Sequence, residues 1–144
     1  MKRPLAIAAV FSTCALLGTA AAALDYRPQA VAELQGLDKI TARISTFKVP
    51  VGETAKFGSL EITVDACYRT PPEELPESAS FLKISDVHDE GRETSEQLFS
   101  GWMFASTPGL SGMEHPVYDV WLKECVSKKE AQAAPQGQPA PKDN

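Results

Sequence analysis

The sequence is poor in the residues that catalysis and metal binding use most often, with three cysteines and two histidines among 144 residues. It has no Gly-x-Ser-x-Gly nucleophile elbow, no phosphate-binding glycine loop and no Cys-x-x-Cys redox pair. It also lacks the run of about 20 apolar residues that a transmembrane helix needs. These absences argue against an enzyme, and we expect no cofactor.

Positive charge is scarce too, with 14 Lys and Arg against 19 Asp and Glu and a formal net charge of −5. Nucleic acids and anionic lipid surfaces are bound through clusters of basic side chains. An acidic chain without a basic stripe lacks that means of attraction. We therefore expect no nucleic-acid partner.

The N-terminus has the three parts of a secretory signal peptide over residues 1–23. Lys2 and Arg3 give a positive start, an apolar stretch follows, and small residues lead up to the expected cleavage site near Ala23. Cleavage removes both basic residues together with Cys14 and moves the formal charge from −5 to −7. Two alternatives are a lipoprotein acylated at Cys14 and a retained anchor. The favoured destination is the bacterial periplasm, without stable membrane insertion after cleavage.

Cleavage leaves Cys67 and Cys125 as an even pair of cysteines. In an oxidising compartment such a pair favours a disulfide. The bond would close a loop of about 60 residues, which the chain-entropy model values at about 4 kcal/mol. That is comparable with the whole stability of a small domain.

Composition divides the mature chain into three parts. Residues 24–37 are an N-terminal lead-in whose apolar spacing is compatible with one or two helical turns. Residues 38–126 are one β domain. Residues 127–144 have no aliphatic side chain larger than Ala, and we expect them to form a disordered tail.

Alternating apolar and polar residues predict about five antiparallel strands in the β domain. The clearest pattern covers residues 60–68 and places Cys67 opposite the main apolar face. A proline-rich acidic loop over residues 70–78 and a polar hairpin loop over residues 86–94 separate the strands. The other predicted strands are residues 40–49, 81–87, 97–105 and 117–125. Five short strands predict an all-β fold, either a small barrel or a sandwich.

Aromatic and sulfur-bearing side chains are densest at Trp102, Met103 and Phe104. If exposed, these residues are a candidate interaction surface. If buried, they belong to the core, and we favour that interpretation because such a dense apolar run leaves neither face of a strand fully in water.

A histidine lies among carboxylates at Glu114, His115 and Asp119. One interpretation makes His115 a general base oriented by either carboxylate. As a metal site, the group falls short of the usual set of convergent ligands. The structural alternative is that His115 and Asp119 bind the loop backbone and fix the start of the last strand. Glu114, His115 and nearby Tyr118 complete the candidate interaction surface.

A second acidic cluster contains His88 with Asp86, Asp89 and Glu90. A divalent cation is one interpretation, but the segment lacks the ligand alternation and the terminal glutamate of a calcium-binding hand. We favour a solvated hairpin tip.

Several blocks of the β domain together resemble one bacterial family. These are LDK before Thr41, VG at 51–52, FGSL at 57–60 before Cys67, LFSGWMFAS at 98–106 and EHPVYDVWL at 114–122 before Cys125. The family is catalogued as domain of unknown function 2155. The resemblance implies an exported protein, mainly of alphaproteobacteria, with a single such domain and two cysteines. It implies no established activity, substrate or catalytic residue.

Two functions of different class remain. The first is a non-catalytic binding or envelope-assembly module whose partner is an envelope protein or complex. The second is a small periplasmic hydrolase or metal-dependent enzyme centred on His115, Glu114 and Asp119. The missing nucleophile motif and the scarcity of histidine favour the first.

Overall fold

The computed structural model describes residues 25–87 and 96–133, and it is mostly β in that part of the chain. The predicted signal peptide lies outside the described residues, as do His88, Asp89 and Glu90 of the acidic cluster and residues 134–144 of the tail. The described elements are β1 (Arg27–Pro28), β2 (Val31–Asp38), β3 (Arg43–Pro50), β4 (Thr54–Phe57), β5 (Leu60–Arg69), β6 (Ser78–Asp86), β7 (Glu96–Phe104), α1 (Pro108–Ser111), β8 (Met113–Glu114), β9 (Tyr118–Val126) and α2 (Lys128–Ala133).

The strands form two antiparallel sheets that share one core. The five-stranded sheet has the order β1-β5-β6-β7, with β4 also paired to β5, and the four-stranded sheet has the order β3-β2-β9-β8. Within residues 25–87 and 96–133 no strand pairing joins the two sheets, so the fold is a sandwich and the barrel alternative is wrong. The buried core takes side chains from both inner faces, including Leu34, Val49, Ile62, Leu82, Ile84, Met103, Val120 and Leu122.

A disulfide bond between Cys67 on β5 and Cys125 on β9 joins the two sheets. The Cα atoms of the two cysteines are 5.7 Å apart and both side chains are buried. Ser78 supports the site, because its Oγ accepts a hydrogen bond from the Cys125 N–H at 3.0 Å. The predicted pairing is confirmed.

The expected position of Cys67 on the outer face of its strand is wrong. The pairing of β5 with β6 shifts between Val64 and Ala66, so that Asp65 has no partner in the register. This β-bulge adds one residue to β5 and reverses the alternation beyond it. Cys67 therefore turns into the core, while Tyr68 turns to the outer face.

The segment expected to be a lead-in with helical turns instead contains β1 and β2. Strand β2 pairs with β3 on one side and β9 on the other, which makes it a central strand of its sheet. Gly36 is required there, because a Cβ atom at this position would lie 2.6 Å from the Phe57 ring. Gly36 is therefore the site where an aromatic ring packs on the backbone of a strand.

The strand expected from residue 40 begins at Arg43, because the preceding residues form a turn. The Asp38 carboxylate accepts hydrogen bonds from the N–H groups of Ile40 and Thr41 at 2.8 and 3.1 Å. The bond from Thr41 is the main reason that the pKa of Asp38 lies below its ordinary value. Ile40 is exposed as a result, and its apparent alternation with later apolar residues does not mark a strand.

The first residues of the expected disordered tail form a docked helix. Glu130 accepts a hydrogen bond from the Ser127 N–H at 2.8 Å and pairs with Arg69 at 3.0 Å. Lys48 adds a hydrogen bond from its Nζ to the Ala131 carbonyl at 2.8 Å. Hydrogen bonds from Ser127, followed by the Arg69 pairing, lower the pKa of Glu130 to about 2. Neither helix of the described segments is long and apolar enough to cross a membrane.

Candidate functional site

The candidate residues of the sequence do not form one surface, because they lie near opposite ends of β6. Trp102 is opposite Phe81 in the strand pairing, whereas His115 lies against Asp86. Five residues along a strand span roughly 16 Å. The two groups are therefore separate sites.

At one end of β6, His115 binds both its own loop and a buried carboxylate. Its Nδ1 accepts a hydrogen bond from the Val117 N–H at 3.2 Å, and its Nε2 lies 3.5 Å from Asp86 Oδ2. The imidazole also stacks on Tyr118, with ring centroids 6.0 Å apart. Asp86 is 1% exposed, so it is not part of the solvated hairpin tip that we expected.

The two carboxylates expected to act with His115 do not meet it in the structure. Glu114 is exposed on the short strand β8, and Asp119 pairs with Lys39 at 2.7 Å. No described contact joins His115 to either group. Within the described residues, no cluster of three or more His, Cys, Asp or Glu side chains is arranged to hold a metal ion.

A row of rings closes this end of the sandwich. The centroids of Phe47 and Phe57 are 5.5 Å apart, those of Phe57 and Tyr118 are 5.4 Å apart, and His115 continues the row beyond Tyr118. Gly58 has a φ of +59° and lies directly under the Tyr118 ring, where a Cβ atom would collide with it. The row joins both sheets, so packing between the sheets is sufficient to explain why these aromatic side chains are present.

Near the other end of β6, aromatic side chains form a groove on the outer face of the five-stranded sheet. We call it the aromatic groove; it has a volume of about 290 Å³ and is lined by Tyr26, Tyr68, Ala79, Trp102 and Phe104. Trp102 is 45% exposed and Phe104 is 36% exposed. Such exposed aromatic surface on a small domain is a feature of interaction sites.

The residues of the 102–104 run divide between exposed and buried positions. Strand alternation turns Trp102 and Phe104 outward and Met103 inward, where it is fully buried in the core. Met103 is therefore not available to a partner. The three residues are adjacent in the sequence and were considered together, but successive side chains of a strand point to opposite faces of the sheet.

Ring contacts hold the aromatic groove in place. The ring of Trp102 lies 5.5 Å from that of Phe81 in an edge-to-face arrangement and 6.0 Å from that of Tyr68. Tyr26 forms the wall next to Tyr68, and partial burial, with the nearby charge of Glu77 as a second cause, raises its pKa. A fixed set of rings loses little entropy on binding.

Sequence reasoning missed Tyr26 and Tyr68, and it assigned Asp86 to a solvated hairpin tip and not to the surroundings of His115. The strict alternation of β5 assigned Tyr68 to the inner face, and only the bulge at Asp65 reverses that assignment. Tyr26 lies before β1, in the segment that we interpreted as a lead-in. Asp86 ends a strand among polar residues, and nothing in its neighbourhood in the sequence indicates that His115 packs against it.

A larger groove, about 640 Å³, lies beside the proline-rich loop, and the charged groups that line it are paired. Arg69 binds Glu130, and the Ser106 hydroxyl donates a hydrogen bond to the Glu77 carboxylate. Lys123 binds Glu33 at 2.6 Å, which raises the pKa of the lysine. These pairings stabilise the walls of the groove and occupy its charged side chains.

The geometry defines a class of protein: a small two-sheet β sandwich, linked by one disulfide, with an aromatic groove on one outer face. The chain belongs to the family described as an uncharacterized protein conserved in bacteria (DUF2155), whose model matches residues 32–125. The resemblance seen in the sequence is thereby confirmed.

A further similarity links the chain to an uncharacterized protein of Rickettsia prowazekii (strain Madrid E). The two are 27% identical over 101 residues, which cover 70% of this chain and 64% of the relative. The chain thus spans less than two thirds of the length of that relative. No solved structure gives a significant match.

Proposed function

We propose that this protein is an exported, non-catalytic binding module of the bacterial envelope, which meets an envelope protein or complex at the aromatic groove. The observation that carries the proposal is the exposure of Trp102 and Phe104 on a sheet face that a water-soluble domain ordinarily keeps polar. Interface hot spots are enriched in Trp and Tyr, and both line this groove.

Export is the part of the proposal that depends on the N-terminal sequence. The charged start, apolar stretch and small residues of residues 1–23 are typical of a signal peptide. The disulfide between Cys67 and Cys125 is in keeping with an oxidising compartment. The periplasm provides both conditions.

The enzyme alternative has less support. The described contacts of His115 are to Val117, Asp86 and Tyr118, and the first of these holds the loop that leads into β9. The Glu114 side chain is exposed to solvent, and the Asp119 carboxylate pairs with Lys39. A binding function needs no catalytic group at this end of the sandwich.

The proposal is tested by expressing the full chain with a C-terminal tag in its native bacterium. We expect the tagged protein in the periplasmic fraction, with an intact mass that begins after residue 23 and a gain of two hydrogens on reduction. Recovery of the uncleaved chain from the cytoplasm would overturn export.

Chemical crosslinking and capture then test the groove with two matched substitutions. Trp102→Ser removes its most exposed ring, and Ile40→Ser removes an apolar side chain that is 77% exposed in a remote turn. We expect the first to lose a partner that the second retains. Equal capture by both variants would contradict binding at the groove. Loss of capture in His115→Ala but not in Trp102→Ser would place the binding site at the His115 end of β6.

A further inference from the structure

We propose that the outer edge of β7 accepts an extended peptide segment as an added strand, with an apolar side chain of that peptide seated in the aromatic groove. This inference rests on the proposed binding function and specifies the chemistry of the partner. Strand addition combines main-chain hydrogen bonds with pockets for alternate side chains. Both elements are present at β7.

The first observation is that β7 is the last strand of its sheet and has main-chain groups that face outward. The Phe104 N–H is bound by Ser111 Oγ at 2.9 Å, and the next N–H, of Ala105, donates to the Ser78 carbonyl at 2.9 Å. Outward and inward residues alternate in an antiparallel ladder. Because the pairing is regular back to residue 99, Trp102 and Ser100 also turn their N–H and C=O groups outward.

The second observation is that the comparable edge, on β3, is protected, whereas residues 25–87 and 96–133 give most of the β7 edge no such protection. Pro50 has no N–H to offer at that edge, and the Lys48 side chain extends from the same strand to the Ala131 carbonyl of α2. Lysine, proline and covering segments are the usual means by which proteins block edge pairing. Strand β7 contains neither lysine nor proline, and in the part of the chain that the structure describes α1 covers its edge only at Phe104.

The third observation is that Trp102 belongs to both the edge and the groove. Its main chain faces outward, and its ring lines the groove between Tyr68 and Phe104. A strand added beside Trp102 therefore places its own side chains next to that ring at strand spacing. The aromatic rings and the one alanine that line the groove give it an apolar surface, which suits an apolar side chain of the added strand.

The chemistry of the edge selects a peptide over other apolar ligands. A lipid chain fills a groove but has no N–H and C=O groups at strand spacing to pair with Ser100 and Trp102. The formal net charge of −5 further disfavours an acidic segment. The partner we infer is an extended segment with alternate apolar residues and neutral or basic flanks.

A second copy of this chain fits the edge less well. Twofold antiparallel pairing centred on Gly101 would bring residues 96–98 of the second copy alongside Phe104. Ser111 of α1 already occupies the edge at that residue. A peptide that ends beside Trp102 avoids this conflict.

The test uses the mature domain labelled with ¹⁵N and a synthetic peptide of about nine residues, which alternates threonine with valine or phenylalanine between terminal lysines. In the free protein we expect rapid hydrogen exchange at the amides of Ser100 and Trp102 and slow exchange at Met103, whose amide faces β6. Peptide binding should slow exchange at Ser100 and Trp102 by about tenfold, as expected for new hydrogen bonds.

The decisive variant is Ser100→Pro, which removes one outward N–H without removing a bond to β6. We expect peptide affinity to fall about tenfold. The matched control is Ile44→Pro, on the protected β3 edge, which should leave affinity unchanged. Melting temperatures of both variants establish that they fold.

The outcomes separate this inference from the proposed function. Wild-type affinity in Ser100→Pro together with lost binding in Trp102→Ser would overturn strand addition and leave groove binding in place. No peptide-dependent protection at Ser100 and Trp102 would also overturn it. Capture of the envelope partner by both variants at wild-type level would overturn both proposals. A doubled mass in solution that Ser100→Pro abolishes would assign the edge to a second copy.

Discussion

The two tryptophans of the chain lie on the outer faces of opposite sheets, in contrasting surroundings. On the four-stranded sheet, Trp121 Nε1 donates to Gln35 Oε1 at 3.1 Å, and Gln35 Nε2 donates to Thr46 Oγ1 at 3.2 Å. This polar row crosses three strands. On the five-stranded sheet, Trp102 is surrounded by other rings in the aromatic groove. One tryptophan serves the stability of its sheet, and the other presents apolar surface.

Both outer faces carry an ion pair. Glu33 on the outer face of the four-stranded sheet is buried beneath its pairing with Lys123. The outer face of the five-stranded sheet has an ion pair too, between Lys83 and Asp65 at 2.6 Å, but the lining of the aromatic groove contains no charged side chain. The two faces therefore differ in this apolar lining and not in a lack of ion pairs, and the lining is what the proposed binding function uses.

The largest expected effect breaks the connection between the two sheets. Replacing Cys67 and Cys125 together by alanine should destabilise the domain by about 4 kcal/mol, because the open chain regains its loop entropy. Thermal melts with and without reductant measure this effect. An unchanged melting temperature under reducing conditions would show that packing alone holds the sheets together.

The next effect distinguishes neighbours on one strand. Met103→Ala should cost about 3 kcal/mol, because it leaves a cavity between the sheets. Trp102→Ala should cost under about 1 kcal/mol, since the ring is half in water. Denaturant titration of both variants gives the comparison. Similar losses would mean that Trp102 belongs to the core and not to a binding surface.

A smaller effect tests the polar row. Gln35→Ala leaves the indole N–H of Trp121 and the hydroxyl of Thr46 without this partner, which should cost about 1–2 kcal/mol. Gln97→Ala, at an exposed position of β7, is the control and should change stability by less than about 0.5 kcal/mol. If the two variants unfold at the same denaturant concentration, the row contributes nothing measurable.

The smallest effect concerns the docking of α2 to the sandwich. The pKa of Glu130 in the folded chain is about 2, below the ordinary value of 4.5. The contacts of Glu130 with Ser127 and Arg69 therefore contribute fully above pH 4.5 and are lost as the pH falls toward 2. The protection factors of the amides of residues 128–133, which correct for the intrinsic pH dependence of exchange, should fall over that interval.

The control for this pH effect is Glu130→Gln, which cannot lose a carboxylate charge. We expect faster exchange in α2 of this variant at neutral pH and no further step between pH 4.5 and 2. An acid step of the same size in both chains would assign the titration to another group.

Sequence patterns predicted the features of this fold that depend on local alternation and missed those that depend on irregularities. The all-β class, the disulfide and the approximate bounds of β5, β6, β7 and β9 followed from apolar patterns and cysteine count. Strand β2 did not, because the spacing of its apolar residues is also compatible with one or two helical turns. Its central place depends on partners at both sides that are distant in the sequence.

The site was predictable to the same extent. Trp102 and Phe104 stood out by composition. To separate them from Met103, a prediction must use the two-residue period of the strand. To place Tyr68 on the outer face, it must include the bulge in β5. His115 was a candidate because it is one of two histidines and lies among carboxylates in the sequence. Its contact with Asp86 arises from the packing of two sheets, which spacing along the chain does not encode.

Because of the bulge at Asp65, the faces that Cys67 and Tyr68 take depend on whether the number of residues before them in β5 is odd or even. Cys67 reaches Cys125, and Tyr68 reaches the aromatic groove, only because one unpaired residue precedes them. Loss of a single residue at this point would exchange their faces, leaving a thiol toward solvent and a phenol ring toward the core. Loss of two would preserve the faces and only shorten the strand. We therefore expect length variants of this strand to be tolerated in steps of two residues.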